Sequence, residues 1–187
     1  MKHDPQAGMV ANDAAGFTLI ELIVTIAIFA ILVAIATPSF QDTIRNNQLA
    51  AASNGLVTSL TFARSEASKQ RLTVSVCAAS SGACTASKDW STGWIVFLDS
   101  PAGPIGSFST SDGDVLLQTS PPSESSVTVT GDGNSVTFQP VTGNTPAGGV
   151  LAKTIFTVTK SGCKGTNQRQ ITVDATGRIS LAKQACP

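Results

Sequence analysis

A long apolar run dominates the first quarter of the chain. No charged residue occurs between positions 22 and 41, and most of these positions are apolar. A helix of this length spans about 30 Å, which matches the hydrocarbon core of a lipid bilayer. The pattern therefore predicts one helix that crosses a membrane, with Pro38 expected to bend it near the polar end.

Beyond Pro38 the apolar residues recur at intervals of three and four, which is typical of an amphipathic helix. The residues of this stripe are Leu49, Leu56, Leu60, Ala52, Ala63 and Ala67. The stripe predicts that the helix continues to about Arg71 and packs its far half on the sheet of its own domain. For the near half, up to about residue 48, lipid or other subunits are expected to cover the apolar surface.

After Arg71 the apolar residues recur at every second position instead of every third or fourth, which predicts strands. The predicted strands are residues 72–77, 94–98, 127–129, 136–138, 155–158, 171–173 and 179–181. The glycine-containing segments 131–134 and 175–177 are expected to supply the positive φ angles of hairpin turns, so most pairing should be antiparallel. Residues 101–106, 121–126 and 142–149 are expected to be loops. The fold class is therefore α+β, with a long N-terminal helix packed on an antiparallel β-domain.

Charge adds little to this outline at the level of the whole chain. Only 13% of the residues are charged and the net charge is zero, so no nucleic-acid or acidic partner is indicated overall. Residues 88–135 are mainly acidic, whereas six basic residues after position 150 are opposed only by Asp174. The simplest interpretation is two solvated faces that keep subunits soluble or complementary to one another.

Four cysteines form two pairs that are local in sequence: Cys77 with Cys84, and Cys163 with Cys186. A domain anchored outside the cytoplasm lies in an oxidising compartment, so these two disulfides are the simplest of three possible pairings. A zinc site is the competing interpretation. It is disfavoured because the spacing lacks two close CxxC pairs and the one histidine is His3.

The sequence carries no recognisable catalytic motif. Its single histidine is near the start, it has no tyrosine, and neither a nucleophile elbow nor a phosphate-binding glycine motif occurs. Residues 112–114 and 132–134 resemble oxygen ligands for calcium, but neither continues into an EF-hand loop, so turns are expected. We therefore predict neither an enzyme nor a cofactor or metal site.

The hexapeptide of residues 16–21, Gly-Phe-Thr-Leu-Ile-Glu, followed by Pro38, resembles the cleavage and assembly motif of type IV prepilins and type II secretion pseudopilins. The resemblance implies that a prepilin peptidase cuts after Gly16 and methylates the new N-terminus at Phe17. It also implies that Glu21 pairs with the terminal amine of a neighbouring subunit. An acid within lipid costs about 3 kcal/mol, so a use for its charge is expected.

An ordinary signal peptide and a plain single-pass anchor are the alternative interpretations of this segment. A signal peptide is cleaved after its apolar core, whereas here the small residue precedes the core, so cleavage leaves the helix on the mature protein. The leader of residues 1–16 holds Lys2 but also Asp4 and Asp13, which is less basic than is usual in the family. Translation is expected to start at Met1 or Met9.

Residues 77–97 sharpen the resemblance: a strand ending in Val-Cys, a polar loop to Cys84, then Trp90-Ser-Thr-Gly-Trp94 and an apolar strand. This stretch resembles the GspH/FimT group, which includes minor pilins and the H pseudopilin of type II secretion. The two tryptophans are expected to fill the core between helix and sheet.

This resemblance implies three segments: the leader 1–16, a helix 17–71 whose part 17–40 crosses the inner membrane, and a periplasmic β-domain 72–187. It implies a minor pilin that initiates or caps a filament and reaches the cell surface after assembly. Expected partners are other pilins, a prepilin peptidase and the inner membrane. The type II secretion pseudopilin H is the alternative.

DNA capture during natural transformation is a further alternative, because certain FimT proteins use a basic C-terminal turn with a Gly-Arg-x-Arg motif. Here the matching residues 177–180 lack the second arginine. The remaining candidates would have to form one basic patch: Lys160, Lys164, Arg169, Arg178 and Lys183. Any binding should rest on phosphates and be weak and sensitive to salt.

Overall fold

The structure is a computed structural model that describes residues 16–124, 126–140 and 153–186, apart from the side chains of residues 36–39. Within these ranges it has one long helix, nine strands and a short 3-10 helix at Thr110–Asp112. Helix α1 is Leu19–Gln70. The strands are β1 Val74–Ser80, β2 Ala83–Cys84, β3 Trp94–Leu98, β4 Val115–Ser120, β5 Val127–Gly131, β6 Ser135–Phe138, β7 Thr154–Lys160, β8 Gln168–Val173 and β9 Ile179–Gln184.

The chain divides into two compact units after Asp42. The described part of the first unit is helical from Leu19 onward. Its most apolar 18-residue window has a mean hydropathy of 2.9 and none of that window is buried, so the helix is long and apolar enough to span a membrane. The bend expected at Pro38 stays a prediction.

The second unit contains two antiparallel sheets. The first sheet has the order β2–β1–β3–β4, with β6 also paired to β1, and the second has the order β5–β7–β8–β9. Strand β1 is central to the first sheet because it pairs with β3 on one side and with β6 and β2 on the other. The predicted antiparallel pairing is confirmed.

One core joins the helix to both sheets. The helical stripe is buried at Leu49, Leu56, Leu60, Ala63 and Ala67, which confirms that its far half packs inside its own domain. Alternate residues of the strands meet the stripe from the sheets, as the period of two requires. The tryptophans also lie in this core, as predicted.

The opposite face of the first sheet is covered by the loop between β3 and β4. A second, smaller core forms there from Cys77, Ala79, Ile95 and Phe97. Phe108, from that loop, packs its ring edge-on against Phe97 with the ring centroids 5.2 Å apart. Strand β1 is therefore buried on both faces.

The hairpin predicted at residues 131–134 is wrong. Strand β5 pairs with β7, whereas β6 pairs with β1, so the segment carries the chain from one sheet to the other. Gly131 and Gly133 do not have positive φ angles. The reason is Trp90: its Nε1 donates to the carbonyl of Gly133 at 3.0 Å, and a Cβ on Gly131 would lie 2.8 Å from the same nitrogen.

The turn predicted at residues 175–177 is confirmed, because β8 and β9 are paired and Gly177 has a φ of 74°. Strands β2 and β4 were not predicted. Strand β4 begins with two consecutive exposed apolar residues, Val115 and Leu116, and its pairing with β3 contains a register shift, so it lacks a clean alternation. The loops predicted at 101–106 and 121–124 contain no strand. The loop predicted at 142–149 lies outside the described residues, as does residue 125.

Candidate functional site

The start of helix α1 is defined by Thr18. Its hydroxyl oxygen accepts a hydrogen bond from the backbone N–H of Glu21 at 3.3 Å, and its carbonyl accepts one from Leu22 at 3.1 Å. This is an N-cap in a Thr-x-x-Glu sequence, the signature of a capping box. Sequence reasoning overlooked Thr18, although the spacing to Glu21 was the signal that could have identified it.

The Glu21 side chain is exposed in the single chain. Within the described residues no hydrogen bond or ion pair engages its carboxylate. It lies in the first turn of the helix, where the partial positive charge of the helix N-terminus favours an anion. The carboxylate is thus held at a defined place with its oxygens available to a donor from another molecule.

The helix that follows exposes a continuous apolar surface. Phe17 is 83% exposed, and the large apolar residues from there to Ile35 are all exposed. The Thr25 hydroxyl donates to the carbonyl of Leu22 at 2.8 Å, so this polar side chain in the run is satisfied within the helix. A soluble monomer does not leave an apolar surface of this length in water, so lipid or other helices must cover it.

Both predicted disulfides are present in the second unit. Cys77–Cys84 joins β1 to β2 with a Cα–Cα distance of 5.6 Å, and Cys163–Cys186 joins the β7–β8 loop to the segment after β9 with 5.7 Å. The backbone N–H of Cys186 also donates to the carbonyl of Gly165 at 2.8 Å. The end of the domain is therefore fastened by a covalent bond and a hydrogen bond.

Two acidic residues organise the loop between β3 and β4. Asp99 accepts hydrogen bonds from the Ser75 hydroxyl at 2.5 Å and from the N–H of Gly106 at 2.7 Å. Asp114 accepts one from Ser100 and one from Ser109, each backbone N–H at 2.8 Å. Both aspartates are buried. The interpretation of the acidic middle as a solvated face is therefore wrong for Asp99 and Asp114, because the hydrogen bonds of each buried carboxylate come from protein donors.

In the part of the chain that the structure describes, no three His, Cys, Asp or Glu side chains come close enough to hold a metal ion. Thr110–Asp112 form the short 3-10 helix, and Gly113, which follows it, has a φ of 88°, so this segment is a turn.

Three basic side chains share the helix-facing side of the second sheet. Arg169 pairs with Val158 on one side and with Lys183 on the other, and Lys160 lies two residues beyond Val158. Because Val158 is in the core, the period of two places the basic residues on that face. Lys160 donates to the side-chain oxygen of Gln48, and Arg169 donates to that of Asn46 at 2.7 Å.

The remaining two candidates lie apart from one another. Lys164 is exposed in the β7–β8 loop, at the same end of the sheet as Lys160 and Arg169. Arg178 is in the β8–β9 turn, five residues from Lys183 along an extended strand, or about 17 Å. The structure therefore does not bring all five candidates into one patch.

The turn that carries Arg178 is built around Asp174. One carboxylate oxygen accepts from the N–H of Thr176 at 2.9 Å, from the Thr176 hydroxyl at 2.5 Å and from the N–H of Arg178 at 3.0 Å. The hydroxyl of Thr176, and after it the N–H of Arg178, lower the pKa of Asp174 below its ordinary value. Arg178 thus has a fixed backbone position, away from the other four candidates.

Two family models match the chain. The model described as "Type II transport protein GspH" matches residues 52–177, and the one described as "Prokaryotic N-terminal methylation motif" matches residues 11–37.

Two curated relatives match a shorter stretch. A fimbrial protein of Moraxella nonliquefaciens is 48% identical over 56 residues, which cover 28% of this chain and 36% of that protein. Fimbrial protein EcpC of Eikenella corrodens is 54% identical over 46 residues, which cover 25% of this chain and 30% of that protein. The match spans about a third of the length of each relative.

A solved structure covers more of the domain. The type IV minor pilin FimU of Pseudomonas aeruginosa superposes with a TM-score of 0.53 at 24% identity, over 73% of this chain and 89% of that chain. This likeness shows that the two proteins share a fold: a long N-terminal helix with antiparallel sheets.

Proposed function

The chain belongs to the GspH family of type II transport proteins, and from that premise we propose that it is a minor type IV pilin. In this role it is a structural subunit, not an enzyme, and its N-terminal helix packs with those of other pilins to initiate or cap a filament. The domain after the helix lies in the periplasm before assembly, where the two disulfides are stable.

One observation carries the proposal: the N-methylation motif coincides with a capped helix that exposes its apolar side chains and an unengaged carboxylate. The motif covers residues 11–37, and Glu21 lies in the first turn of the helix within it. A free carboxylate in apolar surroundings is costly unless it meets a cation and hydrogen-bond donors.

The proposed processing supplies that cation. Cleavage after Gly16 by a prepilin peptidase creates a new amine at Phe17, and N-methylation leaves the amine positively charged. In a filament, the Glu21 carboxylate of one subunit then accepts from the Phe17 amine of its neighbour. The pair forms only between processed subunits, so processing and assembly are linked.

The first test is the intact mass of the full chain extracted from the membrane. The expected mass corresponds to a chain that starts at Phe17 and carries one methyl group. A chain cut after the apolar segment, or one that keeps residues 1–16, contradicts the proposal.

The second test uses two variants of the proposed assembly residue. Glu21→Gln keeps the shape and removes the charge, whereas Glu21→Asp keeps the charge on a shorter stem. Both should insert in the membrane, but the Gln variant should be absent from sheared filaments, and the Asp variant should be partly retained. Wild-type levels of the Gln variant in filaments would show that the charge is dispensable.

The description of the matching family favours a second candidate, the H pseudopilin of a type II secretion system. Deletion of the gene separates the two. Loss of surface pili with normal protein secretion supports the pilus, whereas loss of secretion with normal pili supports the pseudopilin.

A further inference from the structure

Four basic side chains gather at one end of the second sheet, beside the start of the helix within the second unit. We call this group the basic collar: Lys160, Lys164, Arg169 and Lys183. Two of its members are anchored to the helix, since Lys160 donates to Gln48 and Arg169 to Asn46. Lys183 is the register partner of Arg169 on the neighbouring strand. Arg45, on the same turn of the helix, lies 3.6 Å from where a Cβ on Gly162 would be.

The charge of the collar is not cancelled by the contacts it makes. The partners of Lys160 and Arg169 are neutral amide oxygens, which orient a cation without neutralising it. Within residues 16–124, 126–140 and 153–186, no collar residue forms a salt bridge with a carboxylate. The Arg169 Nε is buried and has no hydrogen-bond partner among the described residues. The collar therefore presents about four positive charges from one side of the domain.

The collar also has a defined position along the helix. The uncharged run of the helix ends at Gln41, and Asp42 follows it. The helix rises 1.5 Å per residue, so Asn46 lies about 6 Å beyond Asp42 and Gln48 about 9 Å. The polar layer on each side of a bilayer's hydrocarbon core is about 5–8 Å thick. A charged Asp42 belongs outside the hydrocarbon core, so cations attached to Asn46 and Gln48 lie in the outer part of the polar layer, within reach of lipid phosphates.

We propose that the basic collar binds the headgroups of anionic phospholipids and thereby docks the domain on the membrane surface before assembly. The lysine and arginine side chains have further N–H donors that the amide oxygens leave unpaired. Phosphate oxygens accept hydrogen bonds from these donors and neutralise the positive charge of the collar. Each basic residue close to an anionic surface strengthens docking about fivefold. The proposal rests on membrane anchoring and not on the filament role, so either can fail alone.

Anionic lipid fits these observations better than DNA does. The residue expected to lead DNA binding, Arg178, lies at the far end of β9 and does not belong to the collar. No aromatic residue lies among the collar residues for base stacking. The chain itself, moreover, leads from the collar directly into the apolar segment, so lipid is present at high local concentration.

The test uses the full chain at one copy per lipid nanodisc, which excludes contacts between subunits. An azide-bearing amino acid replaces Ser161, which is exposed beside Lys160, and carries a donor fluorophore while the four cysteines stay in their disulfides. A headgroup-labelled lipid is the acceptor. Energy transfer should rise when phosphatidylglycerol replaces about a third of the phosphatidylcholine, and it should fall again in concentrated salt.

The variant Lys164→Gln/Lys183→Gln removes the two exposed charges, neither of which makes a side-chain hydrogen bond in the described structure. It should weaken the affinity for the anionic membrane about 25-fold, because each of the two residues contributes a factor of about five. The matched control is Lys88→Gln/Lys153→Gln, which removes two exposed lysines outside the collar and should behave as wild type.

Three results would overturn the proposal. The first is energy transfer that does not depend on phosphatidylglycerol. The second is an equal loss in the collar variant and its control. The third is binding of a short DNA duplex that the collar variant abolishes while the lipid composition has no effect, which assigns the collar to nucleic acid instead.

Discussion

The two tryptophans allow a stringent test of the packing between helix and sheets. They are four residues apart and both are buried, at 0% and 4% exposure for Trp90 and Trp94. The Trp90 Nε1 donates to the carbonyl of Gly133 at 3.0 Å, and its ring meets Phe156 edge-on at 4.8 Å. The Trp94 Nε1, in contrast, is buried without a partner among the described residues. The two sites thus have similar burial but differ in one hydrogen bond.

Replacing either tryptophan with phenylalanine removes a similar amount of buried ring. At Trp90→Phe the Gly133 carbonyl also loses its donor, which costs about 1–3 kcal/mol. At Trp94→Phe an unsatisfied donor is removed, so that penalty is absent. Trp90→Phe should therefore be the more destabilising change by at least about 1 kcal/mol, or about fivefold in the folding equilibrium.

The assay is urea unfolding of the full chain in a mild non-ionic detergent. Each variant retains one tryptophan, whose fluorescence reports the transition, and equal slopes for the two variants would show that the unfolded states are comparable. The reasoning is refuted if Trp94→Phe is as destabilising as Trp90→Phe or more so.

Three further predictions concern the second unit. Gly93→Ala should lower the stability by more than about 2 kcal/mol, because its Cβ would lie 2.6 Å from a backbone oxygen. Gly165→Ala, whose Cβ would lie in open space, should lower it by about 1 kcal/mol, and thermal unfolding compares the two variants. Loss of the Cys163–Cys186 bond should cost about 2–4 kcal/mol in the same measurement, and no change under reduction would contradict this. Because the pKa of Asp174 is lowered in the folded state, its carboxylate should stabilise the fold fully above about pH 4 and progressively less below it. If the stability lost by Asp174→Ala does not become smaller in acid, this prediction is wrong.

The helix and most strands could be predicted from the sequence because their signals are local. The stripe from Leu49 to Ala67 follows the helical period, and its buried face needs no knowledge of its partner. The turn at Gly177 was likewise predictable, since the glycine itself has the positive φ.

The errors arise where a distant side chain decides the structure. Residues 131–134 have the composition of a hairpin turn, but Trp90 enters from more than forty positions away and directs β5 and β6 into different sheets. Counting charges could not distinguish Asp99, which is buried, from a solvated acid. Nor could the sequence show that Arg169 lies beside Lys183 and is fixed by Asn46 of the helix, since both contacts join distant parts of the chain.

The cap at Thr18 has a consequence for proteolysis. Peptidases bind their substrates in extended form, and a bond inside a helix must first be unwound. Gly16 and Phe17 precede the helix, which begins at Leu19, so the proposed scissile bond lies outside it. Thr18 also stays on the mature side of the proposed cut, so removal of the leader keeps the hydrogen bonds that Glu21 and Leu22 donate to Thr18. Under the proposed processing, the residues that follow the cut therefore need no unwinding before cleavage and no refolding after it.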